Sequence, residues 1–338
     1  MTSITRRTAL LGGIGIVGAG AAQAAGNVDL AKAKAEGKLV WYTSSPIKVA
    51  QQIGKLFTAQ TGIHTDVFRS GGTATMRRFL EERQAGEIAA DVLTTSDPAA
   101  FADLARQGAF VPFKPAGFDK VPASAKDPDG NYVAQRLNLI TIYLRGDKVP
   151  PAQRPTSWAD LTSLRYKGQL VMPDPSFTAL KLVEVATFAA RFGWDYYRKL
   201  AGNGTMIVQG NQQVTGMLDS GERLIAAGAL DSYAADARRA GHPIVTLYPS
   251  EGVLIIPSPT GVVKGAKHPE AAKLFASFML TQQVQALFPA DGGYAARTDI
   301  APPSGGASLA TIKIIPIDYA VVEKNSISDK RKFEEIFQ

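Results

Sequence analysis

Three short stretches in the first third of the chain share one chemical theme. Ser44-Ser45-Pro46, Arg69-Ser70-Gly71-Gly72-Thr73 and Thr95-Ser96-Asp97-Pro98 are each rich in hydroxyls or glycine, and each stands between an apolar run and an amphipathic one. The first backbone N–H groups of a helix have no partner inside it, and they carry a partial positive charge. Hydroxyls and bare glycine backbone beside such groups make a polar binding surface, so Ser44, Ser45, Gly72, Thr73, Thr95 and Ser96 are candidate contacts. The second half repeats the arrangement in Pro173-Asp174-Pro175-Ser176-Phe177-Thr178, Gln209-Gly210-Asn211 and Asp231-Ser232-Tyr233. Ser176, Thr178 and Tyr233 join the candidates from there.

The elements that must position these turns are legible as α/β units. Leu39-Val40-Trp41-Tyr42 reads as a buried strand. A helix follows, with Ser45 as its cap, Pro46 in its first turn, an apolar stripe of Val49, Ile53, Leu56 and Phe57, and Gly62 just past its end. Strands at His64 to Phe68 and Asp91 to Thr94 each lead into another turn and helix. In a parallel sheet all such turns lie at the carboxyl edge of the strands, where open α/β folds bind ligands. Val133 to Leu144 is an extended run long enough to cross between lobes. Strand signals at Leu170-Val171-Met172, Ile207-Val208 and Leu224-Ile225-Ala226 then build a second sheet, and the apolar stretch from Val245 to Val263 suits a return crossing. Two rows of polar turns facing each other would form a cleft.

Composition narrows the chemistry. The chain has 338 residues, a formal charge of +7, no cysteine and three histidines. Without cysteine there are no disulfides, thiolate nucleophiles or zinc-thiolate sites, and His64, His242 and His268 are too scattered in sequence for a histidine metal site. No basic stripe interleaved with aromatics points to nucleic acid. The N-terminus reads as an export signal in residues 1–24: Thr5-Arg6-Arg7-Thr8-Ala9-Leu10, an apolar run to Ala22, and the cleavage motif Ala22-Gln23-Ala24. The arginine pair suggests the twin-arginine route. Gly13-Ile14-Gly15-Ile16-Val17-Gly18 matches a dinucleotide fingerprint, but no strand precedes it, so it carries no nucleotide site. Cleavage leaves roughly 310 residues, a natural size for two domains.

From the strand Leu39 to Ser45, through Asp91 to Pro112 with its Gln107-Gly108-Ala109-Phe110-Val111-Pro112, to Gly261-Val262-Val263-Lys264-Gly265-Ala266-Lys267-His268-Pro269 and Gly293-Tyr294-Ala295-Ala296-Arg297, the chain resembles the periplasmic solute-binding proteins of ABC importers. The branch is the one that includes the ferric-ion-binding proteins. The resemblance implies an α/β fold of the two-lobed type II kind. Each lobe would be a mostly parallel sheet with flanking helices, joined by a two-segment hinge. Lobe 1 would be 27–138 with 258–338, and lobe 2 would be 139–257. It also implies a periplasmic monomer without a cofactor, whose partners are a small solute, an inner-membrane permease and its ATPase.

Members of this branch that bind ferric ion use neighbouring tyrosines at the turn that here reads Asp231-Ser232-Tyr233-Ala234-Ala235. One tyrosine, Tyr233, remains at that turn, which argues against iron, since phenolates are the hard donors such a cation needs. Tyr196-Tyr197 is a pair, but in a helical stretch suited to packing. Other members carry carboxylates, phosphonates or phosphate esters, for which hydroxyls, helix N-termini and an arginine are the right chemistry. Arg69, leaving a strand just before Gly71-Gly72, is the arginine expected to serve. A periplasmic enzyme on the same fold is the remaining alternative, but no G-x-S-x-G, H-E-x-x-H or G-x-x-x-x-G-K-[ST] motif supports it. The sequence therefore reads as a binder of a small organic anion and not as an enzyme.

Overall fold

The computed structural model describes residues 28–338. The export signal of residues 1–24 and the Gly13–Gly18 pattern lie outside the described residues. The first unit is helix α1 (Leu30–Glu36), strand β1 (Lys38–Thr43), α2 (Ile47–Thr61), β2 (His64–Arg69), α3 (Gly72–Ala85), β3 (Val92–Thr94) and α4 (Pro98–Arg106). β1 pairs in parallel with β2 on one side and β3 on the other. Gly62 ends α2 in the left-handed conformation, φ 78°. Asp97 caps α4 by accepting from Ala100 N. Ser45 does not cap α2. Its hydroxyl accepts from the Thr43 hydroxyl and from Gln135 Nε2, and the cap position belongs to Pro46, which offers no side-chain acceptor.

Strand β4 (Val133–Arg145) then crosses to the second unit: β5 (Leu170–Pro173), α5 (Ala179–Phe192), α6 (Trp194–Gly202), β6 (Met206–Val208), α7 (Asn211–Ser220), β7 (Ile225–Leu230) and α8 (Asp231–Arg239). The expected return run splits. β8 (Ile244–Leu247) folds back onto β4, and only β9 (Leu254–Val262) makes the crossing. β4 and β9 run antiparallel from Val133 opposite Thr260 to Ile140 opposite Leu254, and from Ile140 onward the other edge of β4 pairs with β7, beginning at Leu230. The sheet therefore runs unbroken in the order β2-β1-β3-β9-β4-β7-β5-β6. Each parallel triad is joined to the other through the two crossing strands.

After β9 come α9 (Pro269–Met279), α10 (Gln282–Gln285), α11 (Leu287–Ala290), the short β10 (Tyr294–Ala295) and a final helix α12 (Tyr319–Phe337). Among the described residues no helix is long and apolar enough to cross a membrane. One core gathers Trp41, Phe57, Phe275 and Phe278, with the Phe275 ring 5.0 Å from both Trp41 and Phe57. The other centres on Trp158 and Phe188, 4.8 Å apart. The segment 258–338 does not all belong with the first core. The apolar face of α12 finds its match on α5 and α6, with Phe333 buried 5.6 Å from Tyr197, while Glu323 pairs with Arg106 on α4. The last helix straddles both units.

Candidate functional site

Between the two units lies a cavity of about 150 Å³. Its walls come from the starts of four helices: Pro46 before α2, Gly71 and Gly72 at α3, Thr178 to Leu180 at α5, and Gly210 to Gln213 at α7. These are the carboxyl-edge turns of both parallel triads, and their first N–H groups lack intrahelical partners. Two guanidinium groups line the same space, Arg69 at the end of β2 and Arg136 on β4, together with the phenol of Tyr233. Among the described residues no carboxylate lines the cavity.

The guanidinium groups are held differently. Arg69 Nε donates to the Ser45 carbonyl at 3.0 Å, which fixes the fork and leaves its terminal nitrogens available. Arg136 is only 4% exposed, and its Nε has no hydrogen-bond partner among the described residues. A one-residue bulge positions it: Ala134 faces Pro259 and Arg136 faces Ser258, so Gln135 is the extra residue. Gln135 turns away to donate to Ser45, and its carbonyl accepts from Gln285 Nε2. Burial pushes the Arg136 guanidinium down to about 10, against the attraction of Tyr233 and Asp291. The Tyr233 hydroxyl is pushed up by burial, with both arginines acting in the opposite direction. An enclosed cation with an unused donor is a costly arrangement unless something anionic meets it.

Of the residues expected from sequence, Ser44, Arg69, Gly72, Ser96, Thr178 and Tyr233 line this cavity, and Ser45, Thr73, Thr95 and Ser176 do not. Ser96 shares its hydroxyl with Ser258 at 2.7 Å and with Asn138. Ser45 is consumed by the Thr43 and Gln135 contacts above. Thr95 is fully buried and its hydroxyl has no partner among the described residues. Ser176 donates to Glu334 of α12 at 2.6 Å. Thr73 bridges the two units: its N–H donates to the Phe177 carbonyl and its hydroxyl to the Pro175 carbonyl.

The sequence pattern of the bacterial extracellular solute-binding proteins matches residues 87–323, about 70% of the chain. The chain belongs to this family. A probable ABC transporter periplasmic-binding protein of Sinorhizobium fredii is 22% identical over 290 residues, 81% of this chain and 79% of that one. Iron-bound HitA of Pseudomonas aeruginosa shares the fold with a TM-score of 0.76, at 21% identity, over 88% of this chain and 99% of HitA. AfuA of Actinobacillus pleuropneumoniae, solved with exogenous fructose-6-phosphate, gives 0.77 at 22% identity over 89% and 96%. The fold is thus the two-lobed type II form. The protein is a solute-binding protein of the ABC-importer kind.

Sequence reasoning missed several walls of this solute-binding protein's cavity. Arg136 lay inside a run read only as a crossing strand. The signal was there, because Gln135, Arg136 and Asn138 interrupt apolar residues that a purely structural strand would not interrupt. Asn211, Gln212 and Gln213 follow a turn noted in sequence but not counted as contacts. The pair Tyr196-Tyr197 is buried in the core against Phe188 and Phe333, far in role from any donor set.

Proposed function

We propose that this solute-binding protein works in the periplasm as a monomer. It captures a small organic anion, a carboxylate, phosphonate or phosphate ester, and delivers it to an inner-membrane permease driven by an ATPase. The observation that carries the reading is Arg136: a guanidinium almost wholly enclosed, with an unpartnered Nε, beside a second arginine in a cavity without a carboxylate wall. Charge-assisted hydrogen bonds to fixed donors are the strong ones. An anion between Arg69 and Arg136, closed over by the helix starts of α5 and α7, would meet donors from both units. Ser44, Thr178 and Tyr233 would add neutral contacts. The relative that binds fructose-6-phosphate supports the same reading.

Ferric ion is the competing solute, supported by the iron-bound relative. Two guanidinium groups repel a bare cation, and Tyr233 alone offers one phenolate. A thermal-shift panel on the mature protein decides between them, with dicarboxylates, phosphonates, sugar phosphates and ferric citrate as ligands. An anion at 100 times its dissociation constant should add about 2.7 kcal/mol of stability. Stabilisation by ferric salts and by none of the organic anions would overturn the proposal.

A further inference from the structure

Past Tyr233 the cleft continues into a second chamber of about 390 Å³. Pro46, Gln212 and Tyr233 are walls of both spaces. The polarity reverses across that phenol ring. Beyond it, Asp219, Asp236 and Asp291 line the wall, against Lys48 and His242. Lys48 stands 3.6 Å from Asp236, His242 3.0 Å from Asp219, and Arg239 lies 3.0 Å from Asp236 and 3.8 Å from Asp291. Three carboxylates therefore face two exposed cationic side chains and one imidazole. Asp291 is the most enclosed of the three, its side chain 16% exposed, and burial with Asp236 nearby raises its carboxyl above the usual range.

A second observation points to a ligand there. Ser232 is 5% exposed, forms part of this wall, and its hydroxyl has no hydrogen-bond partner among the described residues. A buried hydroxyl left unpaired costs stability, and a donor group entering the chamber would recover it. We propose that the solute is zwitterionic, with its acid group on Arg69 and Arg136 and a protonated amine in the second chamber near Ser232 and Asp291. This rests on the anion reading above and narrows it. Opposite charges at the two ends of one cleft fix a ligand's direction as well as its affinity, because the reversed pose places like charges together.

Calorimetry on the mature protein tests this with two probes that differ only in the amine, phosphoethanolamine and ethyl phosphate. Phosphoethanolamine should bind at least about tenfold tighter, the lower end of a hydrogen bond to a charged group. Asp291→Asn should bring the ratio of the two affinities close to one, and Ser232→Ala should lower it less. Ethyl phosphate measured in each variant reports whether the fold and the arginine cavity survive. Equal affinities in the native chain, or a ratio unmoved by Asp291→Asn, would overturn the zwitterion and leave the anion reading standing. If neither phosphate binds and no other acid does, both fall together.

Discussion

The Thr73 hydroxyl donates to the carbonyl of Pro175 at 3.1 Å, across the mouth of the cleft and over 102 positions of sequence. Beside it the two units approach as closely as backbone allows. A Cβ on Gly71 would lie 2.2 Å from the Phe177 carbonyl oxygen, and one on Gly72 would lie 2.7 Å from the Ala179 Cβ. The glycines at this turn therefore serve the approach of one lobe to the other, in addition to baring the start of α3. Gly71 has φ −64° and ψ 154°, an extended conformation open to any residue. Its need for glycine comes from the neighbour alone.

That separation of causes gives the first prediction. Gly71→Ala should fold with nearly native stability when ligand-free, because alanine is comfortable at those angles and the obstacle is met only when the lobes touch. It should lose at least about tenfold in solute affinity, about 1.4 kcal/mol. Small-angle scattering checks it: the native chain should contract on adding ligand, and the variant should not. A variant that contracts and binds normally would refute the account of this turn.

Arg136 supports a second prediction with two opposite signs. The buried guanidinium lacks a partner for its Nε, so the ligand-free protein bears a cost that an apolar residue would remove. Arg136→Met should therefore raise the melting temperature of the ligand-free protein. The same change should weaken anion binding by about 1.5–3 kcal/mol, the scale of a hydrogen bond to a charged group. Arg69→Ala should also weaken binding but without the stabilisation, since Arg69 is partly exposed and already donates to Ser45. A destabilised Arg136→Met that binds as before would show the arginine to be structural.

How much of this was legible follows the range of each interaction. β1, α2 and the C-terminal glycine of α2 depend on apolar spacing and local capping, and the sequence pattern places them within a residue or two. Arg69, Ser44 and Tyr233 reach the cavity wall because they sit at strand-to-helix turns, which a parallel sheet collects at one edge. Thr73 and Ser176 looked equivalent to them, yet their hydroxyls are claimed by Pro175 and Glu334, partners 102 and 158 positions away. No local pattern encodes such partners. Arg136 was hidden for a different reason. Its direction depends on a bulge that skips Gln135, and the alternation of a crossing strand gives no warning of where it slips. Helix α12 escaped the same way, since its place was set by an aromatic surface on α5 and α6 that exists only once both have folded.

Tyr233 separates the two solutes. If an anion binds, Tyr233→Phe removes one neutral hydrogen bond and should cost about 0.5–1.5 kcal/mol of affinity. If ferric ion binds, the same substitution removes the only phenolate among the lining residues, and both binding and the visible phenolate-to-iron absorbance should vanish. Titration of the native chain and the variant with ferric citrate, followed by absorbance, distinguishes these results. A coloured native complex that Tyr233→Phe abolishes would favour iron.

The last prediction concerns the floor beneath the cleft. Lys181 Nζ lies 2.6 Å from Glu184 Oε1 and donates to the Ala227 carbonyl, and both side chains are almost completely buried. Gly228, at φ +77°, leaves the room that Glu184 fills: a Cβ there would lie 2.2 Å from Glu184 Oε2. Burial pushes the Glu184 carboxyl from its ordinary 4.5 up to about 7, although Lys181 holds it down. Between those two values the folded chain keeps a proton that the unfolded chain has released. Stability tied to this group is therefore full below about pH 4.5 and is lost as pH rises to about 7. Lys181→Met combined with Glu184→Gln removes both charges, so its melting temperature should lack the decline that the native chain shows over that window. Glu184→Leu alone strands the buried ammonium and should cost about 3–5 kcal/mol. Differential scanning calorimetry from pH 4 to pH 8 compares them, and parallel curves for the native chain and the double variant would show that this pair does not titrate with folding.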